Sequence, residues 1–256
     1  MREIKTNNAA WNSKPQYYMP HHCVTKDSSR TTKLRVAFNA SNRGNNGISL
    51  NDALMVGLVL QQDLFSILVR FRKFKYALRA DIAKKYRQIL VRHDQTPLQR
   101  IVWRDNPDEE LKTYELLTLT YGTAPASFLA TKVMEQLVVL EEEQFSIGAM
   151  VTRRDFYIDD LLTGSNSFEE ALIIRDQTTS LLSKGGFLRE WASNNINLLQ
   201  DLPKESISST LRELDRNDFS KALGIKWNHI TDKFHYSIKM EAHASHTKRS
   251  IMSNIA

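Results

Sequence analysis

Two apolar stretches of the chain contain acidic residues at positions where a strand would normally carry apolar ones. Residues 76–82 have the short, apolar character of a buried β-strand, and Asp81 lies near its end. Residues 156–163 form a second strand-prone run in which Asp159 and Asp160 are adjacent. Because aspartate is depleted in strands, an adjacent pair inside such a run predicts the tip of a tight hairpin that enters a cleft.

Helical periodicity is present in three other parts of the chain. Ser49 followed by Asp52 predicts a helix start, and apolar residues then recur at helical spacing to about residue 74. Pro125 predicts the start of a second helix, and residues 168–183 predict a third, which ends at two glycines. The predicted inward face of the second helix consists of Phe128, Leu129, Val133, Leu137 and Leu140.

Shorter apolar runs predict additional strands, and together with the helices they predict an α+β fold. These runs lie at residues 24–26, 34–38, 101–103, 114–117, 189–191, 222–227 and 234–238. Residues 1–16 are polar and aperiodic, and we expect them to be disordered.

Composition and charge fit a globular protein with a polyanionic partner. The chain has 256 residues, 41% of them hydrophobic and 25% charged, and a formal net charge of +6. Between Arg70 and Arg100, ten Lys and Arg face two Asp, so the local net charge of +8 exceeds that of the whole chain. Such a surplus suits a nucleic-acid cleft, although a solvated helix face would also produce it.

Cysteine content and hydropathy bear on the compartment. The single cysteine, Cys23, excludes an internal disulfide and is typical of a reducing compartment. No apolar run reaches the length of a membrane span, and the polar start lacks the apolar region of a signal peptide. We therefore expect an intracellular protein, cytoplasmic rather than membrane-bound.

The three aspartates have two possible interpretations. An Asp-Asp pair by itself is most often a surface turn. One aspartate on a strand end and a pair on a neighbouring hairpin, however, would suit two-metal phosphoryl transfer, because carboxylate oxygens are the ligands that Mg²⁺ prefers. Asp81 and Asp159 are far apart in sequence, but strands of one sheet need not be close along the chain.

The aspartate-bearing segments resemble sequence motifs of a known enzyme family. Tyr157-Ile158-Asp159-Asp160 resembles the Tyr-x-Asp-Asp box of reverse transcriptases, and Asp81 with Tyr86 five positions later resembles their first aspartate and aromatic gate. Ordered boxes over residues 17–252 resemble the Bel–Pao group of long-terminal-repeat retrotransposons. They include Ser49-Leu50-Asn51-Asp52, Asp63-Leu64-Phe65-Ser66-Ile67-Leu68, Leu119-Thr120-Tyr121-Gly122-Thr123, Gly185-Gly186-Phe187, Trp191-Ala192-Ser193-Asn194 and Leu223-Gly224-Ile225.

The resemblance implies the fingers and palm of a right-hand polymerase, an antiparallel sheet backed by helices. The fingers and palm would occupy residues 17–240 after the disordered residues 1–16, with a primer-grip hairpin at 219–240. Residues 241–256 would be the truncated start of the next region. Thumb and ribonuclease H would be missing, as expected for a polyprotein fragment.

Residue roles follow from the same resemblance. It implies that Asp81, Asp159 and Asp160 are catalytic and bind two Mg²⁺ ions, or Mn²⁺, together with the carbonyl of Ile82. The nucleotide would contact Lys33, Arg35, Tyr86, Tyr121 and Gly122, with the Tyr86 ring excluding a 2′-hydroxyl. The primer grip would comprise Leu223, Gly224 and Ile225.

The implied activity is RNA-directed DNA polymerisation with deoxynucleoside triphosphates on an RNA or DNA primer–template. One alternative is a catalytically inactive retroelement remnant that only binds nucleic acid. Another is a different two-metal phosphotransferase such as a nuclease, which fits the carboxylates but not the ordered boxes.

The chain departs from the family pattern at several positions. The family usually has Asp-Ile-Glu-Lys-Met-Tyr, whereas this chain has Ala83 and Lys85 in place of the acid and the methionine. Asn39 stands where Asp is usual, and Glu190 stands where Lys is usual. That lysine would be a proton donor to pyrophosphate, so Glu190 bears directly on activity.

Overall fold

The computed structural model describes residues 1–4, 15–25, 33–82, 84–186, 188–208, 220–222 and 225–235. The protein has the α+β fold expected from the sequence. No helix in these ranges is long and apolar enough to cross a bilayer.

A four-stranded antiparallel sheet forms the centre of the molecule. Its strands, in spatial order, are β7 (Phe156–Tyr157), β8 (Asp160–Ser165), β4 (Tyr76–Ile82) and β9 (Leu188–Ser193). The sequence therefore predicted three of these segments correctly: the strand ending near Asp81, the aspartate hairpin and the strand around Trp191.

Helices cover both faces of this sheet. On one face, Leu78, Leu161 and Trp191 pack in a core with α3 (Ala126–Glu141), α4 (Ser146–Asp155) and α5 (Phe168–Ser183). On the other, Ala77, Leu162 and Ala192 pack against Ile67 and Phe71 of α2 (Leu64–Phe71). Neighbouring residues of one strand point to opposite faces, so the nearly continuous apolar sequence of β4 fits a strand buried on both sides.

A second sheet corrects the expectation that residues 1–16 are disordered. Arg2–Ile4 form β1, which pairs with β6 (Lys112–Glu115), and β6 pairs with β5 (Arg100–Trp103). Arg2 donates to the Glu115 carboxylate at 2.7 Å, and Arg100 donates to the same carboxylate. The polar composition of the N-terminus hid this strand because its contacts are an ion pair and backbone hydrogen bonds. Residues 5–14 lie outside the described ranges.

The region predicted as fingers contains a hairpin and two short helices. Strands β2 (His21–Thr25) and β3 (Leu34–Phe38) pair as predicted. The continuous helix predicted from Ser49 to about residue 74 is wrong, because α1 ends after Leu50–Ala53 and α2 starts only at Leu64. Gly57 has a left-handed backbone (φ +85°), and a Cβ there would lie 2.2 Å from the Phe128 ring, so the chain passes close to α3 instead of continuing a helix.

Helix α3 begins after Pro125 as expected, but its buried face was predicted only in part, since Phe128 and Leu137 are half-buried. The buried side chains are Ala126, Ala130, Met134 and Val138, whereas Leu129, Val133 and Leu140 are exposed. Small alanines allow α3 to approach its neighbours closely, an effect that hydrophobicity alone does not reveal. Helix α4 was not predicted at all.

The last described element is a sheet of β10 (Ser220–Ala222), β11 (Ile225–Asn228) and β12 (Lys233–His235). Trp227 is 1% exposed and meets the Phe71 ring edge-on, 5.1 Å between centroids. This contact fixes β11 and β12 to α2 and hence to the central sheet.

Candidate active site

The backbone brings the two aspartate-bearing segments together. Asp81 of β4 lies directly opposite Asp160 of β8 in the antiparallel register. The amide of Ile82 donates a 2.9 Å hydrogen bond to the carbonyl of Asp159. The expected juxtaposition of Asp81 with the Asp159-Asp160 pair on adjacent strands is thereby confirmed.

The turn that presents Asp159 has a strained backbone. Ile158 adopts a left-handed conformation (φ +54°), which is uncommon for a residue branched at Cβ. Such a conformation costs about 1–3 kcal/mol and persists only where surrounding contacts impose it. These contacts come from the segment that follows Asp81.

Lys85 provides one of those contacts. It lies in a 3₁₀ turn (Lys85–Gln88), is only 6% exposed, and donates from Nζ to the carbonyl of Ile158. Burial lowers the pKa of Lys85 to about 8, while the nearby negative charge of Asp159 acts in the opposite direction. The ammonium therefore stays predominantly charged at neutral pH.

Asp160 is already bound by an arginine. The Arg79 guanidinium donates to its carboxylate at 2.9 Å, and both side chains are largely buried. In this arrangement the Asp160 carboxylate neutralises Arg79 inside the sheet. Its availability as a metal ligand is accordingly lower than that of Asp81 or Asp159.

Asp81 has the opposite environment. Burial, followed by the negative charge of Glu190, raises its pKa to about 7, and only Arg79 acts against this increase. Asp159 and Asp160 raise the pKa further, by smaller amounts. Glu190 reaches this position on β9, where it also has a left-handed backbone (φ +56°). The family departure at Glu190 thus adds a fourth carboxylate to the site.

These residues fit a divalent cation in one specific respect. The Oδ1 atom of Asp81 is buried and has no hydrogen-bond partner among the described residues, while other carboxylates surround it. A buried carboxylate oxygen without a donor is costly unless the carboxyl is protonated or a cation compensates its charge. Within the described ranges, however, no group of three or more His, Cys, Asp or Glu side chains is already arranged around one point, so metal binding would require side-chain movement.

The aromatic residues predicted to contact the nucleotide form one cluster. Tyr86 and Tyr121 are half-buried, with ring centroids 6.5 Å apart, and the Tyr86 hydroxyl lies 3.4 Å from Ser127 Oγ. Tyr121 donates from its hydroxyl to the carbonyl of Val36 on β3 at 2.6 Å. Tyr121 therefore connects this cluster to β3, and Tyr86 is connected to β3 through the Tyr121 ring.

Gly122 is required by a close approach of the backbone. Its φ is +92°, and a Cβ there would lie 2.7 Å from the carbonyl oxygen of Phe38. The Asn51 side chain donates to the Gly122 carbonyl at 3.1 Å and accepts from the Ala124 amide at 2.7 Å. Together these contacts connect the Tyr121-Gly122 turn to α1 and β3.

The remaining predicted residues lie on two hairpins. Lys33 and Arg35 are exposed at the start of β3, where long cationic side chains can reach a phosphate. Ile225 is half-buried at the start of β11. Leu223 and Gly224, the other residues predicted to form a primer grip, lie outside the described residues.

The basic stretch between Arg70 and Arg100 is partly neutralised. Five of its arginines form ion pairs with acidic residues, and Lys85 is buried. Those arginines are Arg70, Arg72, Arg79, Arg92 and Arg100. Only four cations remain exposed without an ion pair to a described residue, namely Lys73, Lys75, Lys84 and Arg87. Four acidic residues from other elements therefore compensate about half of the local charge of +8.

Sequence reasoning did not assign a structural role to Arg79 or Lys85. Both signals were present in the sequence, since Arg79 interrupts an otherwise apolar strand and Lys85 replaces an apolar residue of the family pattern. A charged residue in a buried segment requires a partner, and here the partner is the aspartate hairpin in both cases.

Comparisons with known proteins identify the fold. The foamy viral protease-reverse transcriptase dRH in complex with double-stranded DNA matches with TM-score 0.60 over 93% of this chain and 35% of that chain, at 14% identity. The same kind of enzyme in complex with an RNA/DNA hybrid matches with TM-score 0.58 over 93% of this chain and 26% of that one, also at 14% identity. Native prototype foamy virus protease-reverse transcriptase matches with TM-score 0.50 over 68% and 21%, at 17% identity.

The protein thus has a retroviral reverse-transcriptase-like fold and spans about a fifth to a third of the length of these solved chains. Neither a protein-family model nor a curated protein sequence matches it.

Proposed function

We propose that this chain is the polymerase part of a reverse transcriptase from a Bel–Pao type retrotransposon. The observation that carries the proposal is the pairing of Asp81 with Asp160, next to the strained turn that presents Asp159. This carboxylate arrangement lies within a fold shared with protease-reverse transcriptases. The ordered sequence boxes favour the Bel–Pao group.

In the proposed reaction, Asp81 and Asp159 would hold Mg²⁺ or Mn²⁺, with Asp160 and the Ile82 carbonyl at the edge of the site. When bound, the ions lower the pKa of the primer 3′-hydroxyl and neutralise the departing pyrophosphate. Tyr86 would exclude the 2′-hydroxyl of a ribonucleotide, and Lys33 and Arg35 would bind the triphosphate. Tyr121 and Gly122 would form the surface against which the nucleotide packs.

The proposed partners are deoxynucleoside triphosphates and an RNA or DNA primer–template, by analogy with the nucleic-acid complexes of the foamy viral enzymes. We expect the protein to act in the cytoplasm.

A nucleic-acid-binding remnant is the second candidate. It is favoured by the ion pair that occupies Asp160. It is also favoured by Glu190, which places a carboxylate where the family pattern has a lysine that would donate a proton to pyrophosphate. Such a protein would bind primer–template without extending it.

Primer extension on an RNA template with Mg²⁺ and deoxynucleotides separates the two candidates. The reverse-transcriptase proposal predicts template-directed extension by the wild-type chain and none by Asp81→Asn. Retention of the primer–template without extension by the wild type would favour the remnant. Degradation of the template without extension would favour a nuclease.

A further inference from the structure

Lys85 is the most unusual side chain near the aspartates that the proposed reaction does not use. It is 6% exposed, and its one hydrogen bond within the described part of the chain goes to the carbonyl of Ile158. A buried ammonium is unfavourable unless an acceptor or an opposite charge compensates it. The aspartate turn supplies both, because the negative charge of Asp159 is also close.

The segment that follows Asp81 contacts the turn twice. The Ile82 amide donates to the carbonyl of Asp159 at 2.9 Å, and Lys85 Nζ donates to the preceding carbonyl, that of Ile158. Two consecutive carbonyls of the turn are therefore held by residues that lie within four positions after Asp81. The distance between the two metal-binding segments is thus fixed by backbone as well as by side-chain contacts.

The residue held by Lys85 is the strained one. Ile158 has φ +54°, and its peptide would relax toward an ordinary β or α conformation without an external contact. That relaxation would rotate the peptide between Ile158 and Asp159 and redirect the Asp159 side chain. A hydrogen bond to the Ile158 carbonyl opposes this rotation.

We propose that Lys85 is a positioning residue that holds the Ile158–Asp159 turn in the conformation that presents Asp159 to a divalent cation. The inference rests on the proposed function, since it assigns a role within that metal site. It is specific to this chain, because the family pattern has methionine at the position of Lys85, and methionine cannot donate a hydrogen bond.

Lys85 has two opposing effects on metal affinity. Holding the turn favours binding, whereas a positive charge close to Asp159 repels a second cation. If Lys85 holds the turn, removing its charge should weaken metal binding. If Lys85 acts only through its charge, the same change should strengthen metal binding. Lys85→Met keeps most of the side-chain volume and removes both the donor and the charge.

The test measures Mn²⁺ binding to the full chain by the electron paramagnetic resonance signal of free Mn²⁺, alongside hydrogen exchange of peptides spanning residues 156–162. Lys85→Met should weaken Mn²⁺ affinity about 10-fold or more, as for other supporting contacts around metal ligands, and should accelerate exchange in the hairpin. Lys85→Arg retains a charged hydrogen-bond donor and should keep exchange in the hairpin slow. If Lys85→Met does not fold, the exchange rate of Lys85→Arg against that of wild type tests whether a donor at this position holds the turn. Lys84→Met is the matched control, because Lys84 is exposed and adjacent, and should leave both measurements unchanged.

Unchanged or tighter Mn²⁺ binding by folded Lys85→Met, together with unchanged exchange, would overturn the inference. If the wild-type chain binds no Mn²⁺, the proposed metal-dependent function fails separately. The exchange comparison would then still decide whether Lys85 holds the turn, and equal exchange in wild type and Lys85→Met would reject that role.

Discussion

Arg79 binds the carboxylate of Asp160 at 2.9 Å, inside the central sheet and next to Asp81. The ion pair separates the roles of the three aspartates, because Asp160 compensates a buried guanidinium while Asp81 has a carboxylate oxygen without a donor. Asp81 and Asp160, which lie opposite each other in the sheet, are therefore not equivalent in this protein.

The first prediction follows from the different environments of the aspartate carboxylates. Asp81→Asn and Asp159→Asn should each reduce the rate of deoxynucleotide incorporation by at least about 100-fold, the loss expected when a charge that stabilises the transition state is removed. Asp160→Asn should reduce the rate less, because its carboxylate is already bound to Arg79. Single-turnover incorporation on one primer–template provides the comparison. Equal losses for all three variants would show that Asp160 leaves Arg79 to bind metal.

The second prediction concerns the gate. Tyr86→Val should increase the use of ribonucleotides relative to deoxynucleotides by about 10-fold or more, since the ring that would collide with a 2′-hydroxyl is lost. Tyr86→Phe is the control, because it keeps the ring and loses only the hydroxyl near Ser127. The measured quantity is the ratio of kcat/KM for the two nucleotide classes. If Tyr86→Val leaves this ratio unchanged, Tyr86 is a packing residue.

The third prediction concerns nucleic-acid affinity without catalysis. An Asp159→Asn protein should retain primer–template at low ionic strength and release it as salt increases, because phosphate contacts release counterions. Replacing Lys73 or Arg87, if either contacts phosphate, should reduce the slope of log affinity against log salt by about one unit.

Arg92 offers the matched control for this measurement. It is also exposed but is paired with Asp94 at 2.5 Å, so Arg92→Ala should leave the slope nearly unchanged. An equal effect of Arg92→Ala would mean that the ion pairs open on binding and that the whole basic stretch contacts phosphate. Binding that does not respond to salt would contradict both the polymerase and the remnant proposals.

The fourth prediction concerns the N-terminal strand and pH. Glu115 is fully buried; burial raises its pKa, but hydrogen bonds from Arg2, Thr96 and Arg100 outweigh this effect and lower the pKa overall. A carboxyl whose pKa is lower in the folded state stabilises the fold above its unfolded pKa, and this contribution is lost as pH falls through the folded pKa. Glu115→Gln should therefore be less stable than wild type at neutral pH, and the difference should shrink in acid.

Chemical denaturation at several pH values measures this difference. A stability gap between wild type and Glu115→Gln that stays constant from neutral to acid conditions would contradict the assigned ion pairs.

The sequence predicted the parts of the fold whose local pattern agrees with their packing. Strand β4, the aspartate hairpin and α5 are examples, because their apolar residues are buried as the periodicity predicts. The juxtaposition of Asp81 with the Asp159-Asp160 pair was predicted from chemistry, because two-metal phosphoryl transfer requires carboxylates from both segments at one site.

The errors arose where tertiary contacts override local pattern. The helical pattern does not continue through Gly57, which has a left-handed backbone and lies against the Phe128 ring, a contact between residues far apart in sequence. Helix α4 packs closely on α5 through Gly148, whose Cβ would lie 2.7 Å from the backbone of Gln177. Neither contact leaves a periodic signal. The ion pairs that neutralise Arg70 and Arg100 likewise depend on acids from other elements.

The most direct test of the central claim is to locate the metal. A crystal of the full chain with primer–template, deoxynucleotide and Mn²⁺ would show anomalous scattering from bound ions. We predict Mn²⁺ bound by carboxylate oxygens of both Asp81 and Asp159, and loss of this density in Asp159→Asn. Ordered primer–template and nucleotide without Mn²⁺ between these two aspartates would contradict the two-metal account.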